Sequence, residues 1–248
     1  MGCQVLNQRL ADSFQYFRKH SVNQFGKTWV TACTVALALV GCGGGGGDVG
    51  IADNTTGLAT SSAALIATLA TLPIEDLSVA EQESLAFMRE EEKLAHDVYI
   101  QLDGLWRGYT RVFGNIANSE ASHTESVRQL VLRYSLPDPT ATLAAGVFQN
   151  ATLQDLYNGL VVAGSVSLLE GLKVGAAIEE IDMIDINKAL LAIDNQDIML
   201  VYQNLLKGSR NHLRAFVGNL ANQGVTYVPQ YMAEADYQAI VTSPMEQP

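Results

Sequence analysis

The chain has 248 residues, enough for one or two ordinary domains, and 48% of them are hydrophobic, so a sizeable core can form. Acids outnumber bases by 26 to 15, for a formal net charge of −11. A surface this acidic repels phosphate backbones, which argues against nucleic acid as a partner and leaves cations as the charged species it would attract.

The front of the chain differs from the rest. Its first 42 residues carry four bases (Arg9, Arg18, Lys19, Lys27) and one acid, Asp12. The remainder holds 11 bases and 25 acids. Thr28 to Val40 is an apolar run of 13 residues. That is short of the roughly 20 a spanning helix needs, but it suits the hydrophobic stretch of a secretory signal. It ends Leu39-Val40-Gly41-Cys42, which resembles the lipobox of bacterial lipoproteins. The resemblance implies a signal cut before Cys42 and a lipidated cysteine anchoring the protein to a membrane. Gly43 rather than Asp follows, which by the same resemblance favours the outer membrane of a two-membrane cell. The expected location is the cell envelope, on the periplasmic side. Met1-Gly2-Cys3 hints at myristoylation, but Leu6 stands where Ser or Thr is required. The other cysteines are Cys3 and Cys33, so nothing beyond position 42 can form a disulfide or a thiolate metal site.

Gly43 to Gly47 is a pentaglycine, and residues 43–77 read as a flexible Gly/Ala/Thr/Ser-rich linker. Within it, Leu65 to Leu72 suggests no more than a weak helical turn. The folded domain is expected over 78–248. Ser78-Val79-Ala80-Glu81 is a capping box. The helix it opens runs to about Asp103, with Leu85, Met88, Ala95, Tyr99 and Leu102 on one stripe. Gly104 and Gly108 break it. A second helix spans about Arg111 to Tyr134 and stops before Pro137 and Pro139. A shorter one runs from Thr152 to about Ala163. Ser167-Leu168-Leu169-Glu170 opens a third long helix, to about Ile193. The fourth covers about Gln196 to Gln223, with Gly224 at its C-terminal cap. A short helix near Ala233 to Val241 completes the chain. No segment alternates with period two, so the class is all-α, and four long helices suggest an antiparallel bundle with additional short helices.

A faint internal repeat fits two similar hairpins. Glu91 to Val98 aligns with Glu179 to Ile186 at an offset of 88, and Asn115 to His123 aligns with Asn204 to His212 at 89. The second helix carries Glu120-Ala121-Ser122-His123, whose acid and imidazole share one helix face and can bind one metal ion together. With the first hairpin turn near Trp106, Glu92 and Glu120 lie 14 residues to either side of it and therefore at one height. The second hairpin, turning near Asp194 and Asn195, brings Glu180 and His212 towards the same layer. The expected metal ligands are Glu92, Glu120, His123, Glu180 and His212. Which member of each adjacent pair points inward, Glu91 or Glu92 and Glu179 or Glu180, is open. His96 reads as structural or exposed, and Tyr99 as core.

From about Leu77 to Ile240 the chain resembles the ferritin-like domain-of-unknown-function family 2202. The residues that carry the resemblance are Met88 to Ala95, Asn115 to Glu120, Gly175 to Glu180 and Gly208 to Phe216. It implies a ferritin-like four-helix bundle, and the wider superfamily implies a two-metal iron or manganese centre with oxidase, peroxidase or storage chemistry. Superfamily members usually carry a second Glu-x-x-His pair, yet here Ser209 stands where that glutamate belongs. Glu179 or Asp182 would have to substitute. Two functions follow as expectations: a membrane-anchored protein that handles iron or manganese, with an oxidoreductase role open, or a non-catalytic anchored helical interaction module with a degenerate site. Self-association is compatible with either, and no protein partner is legible.

Overall fold

The computed structural model describes residues 62–247. The expected signal, Cys42 and the pentaglycine lie outside them. Seven α-helices and no strand occur among the described residues: α1 Ser62–Leu69, α2 Val79–Trp106, α3 Val112–Arg133, α4 Ala151–Gly164, α5 Leu168–Leu190, α6 Gln196–Asn222 and α7 Glu234–Val241. None is long and apolar enough to cross a membrane.

Capping signals written in the sequence set the starts of three of the helices, α2, α4 and α5. At α2 the Ser78 hydroxyl accepts from the Glu81 amide at 3.2 Å, and the Glu81 carboxylate accepts from the Ser78 amide at 2.9 Å. Ser167 caps α5 through the Glu170 amide, and Asn150 caps α4 through the amides of Thr152 and Leu153. Every member of the apolar stripe on α2, from Leu85 to Leu102, is buried.

Helices α2 and α3 form one hairpin, α5 and α6 another, and they pack through α2 on α5 and α3 on α6. Side-chain partners fix the directions. The Glu81 carboxylate, at the start of α2, accepts from the amides of Asp194 and Asn195, beyond the end of α5. At the other end of α2, the Trp106 ring N–H donates to the Gly164 carbonyl, just before α5 begins. Those two helices are therefore antiparallel. Thr110 meets Asn219 while Arg133 pairs with Asp197, so α3 and α6 are antiparallel as well. The connection from Tyr134 to Ser167, which carries α4, consequently runs the length of the bundle. It is fastened to the outer face of α2: Glu90 accepts from the amides of Gln149 and Asn150, and Asp97 from that of Gly146.

Packed structure extends upstream of the capping box. Leu65 and Leu69 of α1 are buried, α1 packs on α3, and Arg133 donates to the Leu72 carbonyl. Two leucines four apart in an alanine-rich stretch make a small apolar face that gains stability by docking, which propensity alone cannot foresee.

Candidate metal centre

The middle of the bundle contains charged rather than apolar side chains. Glu92 from α2, Glu120 and His123 from α3, Glu179 and Asp182 from α5, and His212 from α6 are all buried. Glu120 lies between the histidines. One carboxylate oxygen is 2.9 Å from His123 Nδ1 and the other is 2.8 Å from His212 Nδ1. The donor atoms of these three residues lie within 4.8 Å of one another, from two different helices. The imidazoles are stacked, with centroids 5.3 Å apart.

Each histidine meets a second acid from the other hairpin strand. His123 Nδ1 is 3.3 Å from Glu92 Oε2, and His212 Nδ1 is 3.5 Å from Glu179 Oε2. Outer groups orient this set. The far nitrogen of His212 pairs with Ser119 Oγ at 2.9 Å, which leaves Nδ1 to face the acids. Tyr99 donates from its hydroxyl to Glu179 Oε1 at 2.6 Å. Ser209 donates to Asp182 Oδ2. The Cε1–Nε2 edge of the His123 ring abuts Gly208, where a β-carbon would come within 2.4 Å of it.

The charges are strongly perturbed. Burial pushes the Glu92 carboxyl up to about 7, against the pull of His123. Burial also acts to raise Glu120, but the two imidazoles win and hold it well below the usual carboxylate range. Burial opposes charge on His212, yet Glu179 and Glu120 push it up to about 9. Burial is the main cause of the upward shifts at Glu179 and Asp182, and at Asp182 the neighbouring acids add to it. Four buried acids thus face two imidazoles, a charge imbalance that bound protons or a cation would relieve.

Residues 81–244 match the family described as an uncharacterised protein domain, DUF2202. The chain belongs to this family. The uncharacterised protein MJ0754 of Methanocaldococcus jannaschii, a relative, is 46% identical over 178 residues, which covers 72% of this chain and 95% of that one. A crystal structure of the same hypothetical protein, under the organism name Methanococcus jannaschii, superposes with a TM-score of 0.68 over 71% of this chain and 99% of that one.

In this DUF2202 domain the two glutamate pairs divide differently. On α2 the second member, Glu92, faces the histidines, while Glu91 lies against Asp185. On α5 the first member, Glu179, faces them. Glu180 turns away: it accepts from the Tyr227 hydroxyl and from the amides of Gln230, Tyr231 and Met232, and it fastens the C-terminal segment instead. The acids that meet the histidines are therefore 87 residues apart, not 88, because α5 is turned by one residue relative to α2. No periodicity argument distinguishes neighbours in a doubled glutamate. His96 stays outside, partly exposed and paired with Asp97. Tyr99 is core, as expected, but its hydroxyl also touches the centre, which an apolar stripe does not reveal. Ser119, Gly208 and Asp185 had no signal of their own, although Glu179, Asp182 and Asp185 recur at intervals of three on one side of α5.

Proposed function

We propose that this chain is a ferritin-like metal-binding protein whose buried centre holds iron or manganese. The observation that carries the reading is Glu120, with one oxygen turned to each histidine Nδ1, as a carboxylate shared between two ions would be. The donor set fits the group. Carboxylate oxygens with imidazole nitrogens suit iron and manganese. Glu92 Oε1 and His212 Nδ1, both at the centre, are among the buried polar atoms without a hydrogen bond. His212 Nδ1 lies close to Glu120 but out of line for a hydrogen bond, as a ligand nitrogen would.

Glu92 and His123 would hold one ion, Glu179 and His212 the other, with Glu120 between them. Asp182 takes the place of the acid missing at 209: the serine leaves room, and its hydroxyl orients the aspartate reaching over from α5. A bundle of two antiparallel hairpins joined by a full-length crossover, with such residues projecting inward, supports the ferritin-like reading. Bound iron or manganese would supply one-electron chemistry towards dioxygen or peroxide. The chain's own residues neutralise the ions, keep bulk water out behind the apolar layers around Phe113 and Phe216, and fix Glu179 through the Tyr99 hydroxyl. The competing reading, an interaction module with a degenerate site, rests on Ser209 and on the expected lipid tether; the position of Asp182 beside Ser209 weighs against the first of these.

The test is metal content after loading with ferrous or manganous ion. Wild type is expected to retain stoichiometric metal through desalting, and Glu120→Ala to lose most of it. Equal retention, or none in either protein, would remove the reading. We also propose that lipidation at Cys42 tethers the domain to a membrane in the cell envelope. Cys42→Ser should shift the protein to the soluble fraction, and unchanged membrane fractionation would contradict the anchor.

A further inference from the structure

Most acids along α2 are met by donors. Glu81 takes the amides of Ser78, Asp194 and Asn195, Glu90 those of Gln149 and Asn150, and Asp97 that of Gly146 together with the Lys93 ammonium. Glu91 differs. It is 5% exposed, and neither of its oxygens receives a hydrogen bond from an amide, ammonium or hydroxyl donor. Its carboxyl is in contact with that of Asp185 across the α2–α5 seam, and the next charges inward are Asp182 and Glu92. Asp185 is half-buried and reaches the surface, where Lys188, one turn on, is exposed.

Two carboxyl groups in contact inside a protein repel strongly unless something positive lies between them. Lys188 offsets part of the Asp185 charge, but no N–H or hydroxyl donor reaches the Glu91 oxygens. Asp185 is the least buried of these acids, and Glu91 has Asp185 on one side and Asp182 and Glu92 of the histidine centre as its other neighbouring charges.

We propose that Glu91 and Asp185 form a second, all-oxygen divalent-cation site at the outer end of the α2–α5 seam, through which iron or manganese reaches the histidine centre. This rests on the reading of that centre as a metal site. Oxygen-only ligands suit manganese and other hard cations. Without an imidazole the outer site holds its ion less tightly than the inner one, so the ion is passed inward. Negative charge near the surface also raises the local cation concentration and speeds loading.

The experiment follows manganous ion binding to the full chain, counting free ion by electron paramagnetic resonance and timing uptake by rapid mixing. The proteins are wild type, Asp185→Asn and Glu91→Gln. Asp185 is less buried than Glu91, so its variant keeps the test valid should Glu91→Gln fold poorly. Wild type is expected to bind one weakly held ion more than either variant. The variants should fill the histidine centre to the same final level, about tenfold more slowly, as expected of lost electrostatic focusing. Equal numbers of ions at an equal rate would overturn the second site and leave a proton shared by Glu91 and Asp185, with the histidine centre standing. Loss of all tight binding in Asp185→Asn would also overturn it, by making the pair part of the centre. A wild type that binds no manganese sinks this site and the centre together.

Discussion

Glu120 makes one centre of two hairpins, because it is the acid that both imidazoles approach. Removing it leaves two histidines, each still beside a second acid but no longer linked, so metal affinity should fall far more than fold stability. Gly208 carries a different constraint. With a β-carbon there, 2.4 Å from the His123 ring, the imidazole must shift. Gly208→Ala should cost about 1–3 kcal/mol by overpacking, and it should lower metal affinity because His123 loses its aim. Thermal melts with and without added metal separate the two effects, and a variant that melts and binds like wild type would show that the ring has room. Ser119→Ala removes the group that orients His212 from behind, and such changes typically weaken metal binding about 10–100-fold. At this scale the Glu-x-x-His pair and His212 were legible in the sequence, since their spacing is fixed by the helix. The inward member of Glu91-Glu92 or Glu179-Glu180 was not, because a helix turns 100° per residue and either neighbour can border the core.

Helix α2 shows how one element serves two faces. Its apolar stripe and Glu92 look into the bundle, while Arg89, Glu90 and Asp97 hold the long connection. Its start is also a lock between hairpins, since Glu81 caps α2 and binds the α5–α6 turn. Burial alone would raise the Glu81 carboxyl, but the hydrogen bonds from Ser78, Asn195 and Asp194 outweigh it and hold it below its ordinary value of 4.5. A carboxyl depressed in the folded state stabilises the fold fully above its unfolded value, and that contribution disappears as the pH falls through the folded one. The stability gap between wild type and Glu81→Gln should therefore be widest near neutrality and narrow below about pH 4.5. A gap independent of pH in denaturant titrations would show that the charge plays no part. Helix ends were legible wherever a cap was written out, as at Ser78 and Ser167. The packing of α1 was not, because that helix is held by docking on α3 rather than by any signal of its own.

At the scale of the molecule, the crossover from Tyr134 to Ser167 lets two hairpins meet with every neighbour antiparallel, and that arrangement brings the acids of α2 and α5 to the level of the histidines on α3 and α6. The C-terminal segment then binds the outside of the second hairpin. Glu180 receives three consecutive amides from it, and Arg210 and Arg214 pair with Glu246. Glu180→Ala strands those amides in a buried place and should destabilise the domain by about 3 kcal/mol, with metal content per folded molecule little changed. A variant that keeps its stability but loses its metal would return Glu180 to the centre. Four long helices, their order and the two-hairpin plan were readable from capping boxes and the internal repeat. The tail's role was not, because it depends on a contact 50 residues away between Glu180 and a stretch with no helical pattern. The most direct test of the whole account is anomalous diffraction from crystals grown with manganous ion. It should show two peaks flanking Glu120, one beside His123 Nδ1 and one beside His212 Nδ1. Data with no peak between those side chains, or with manganese only at the protein surface, would contradict it.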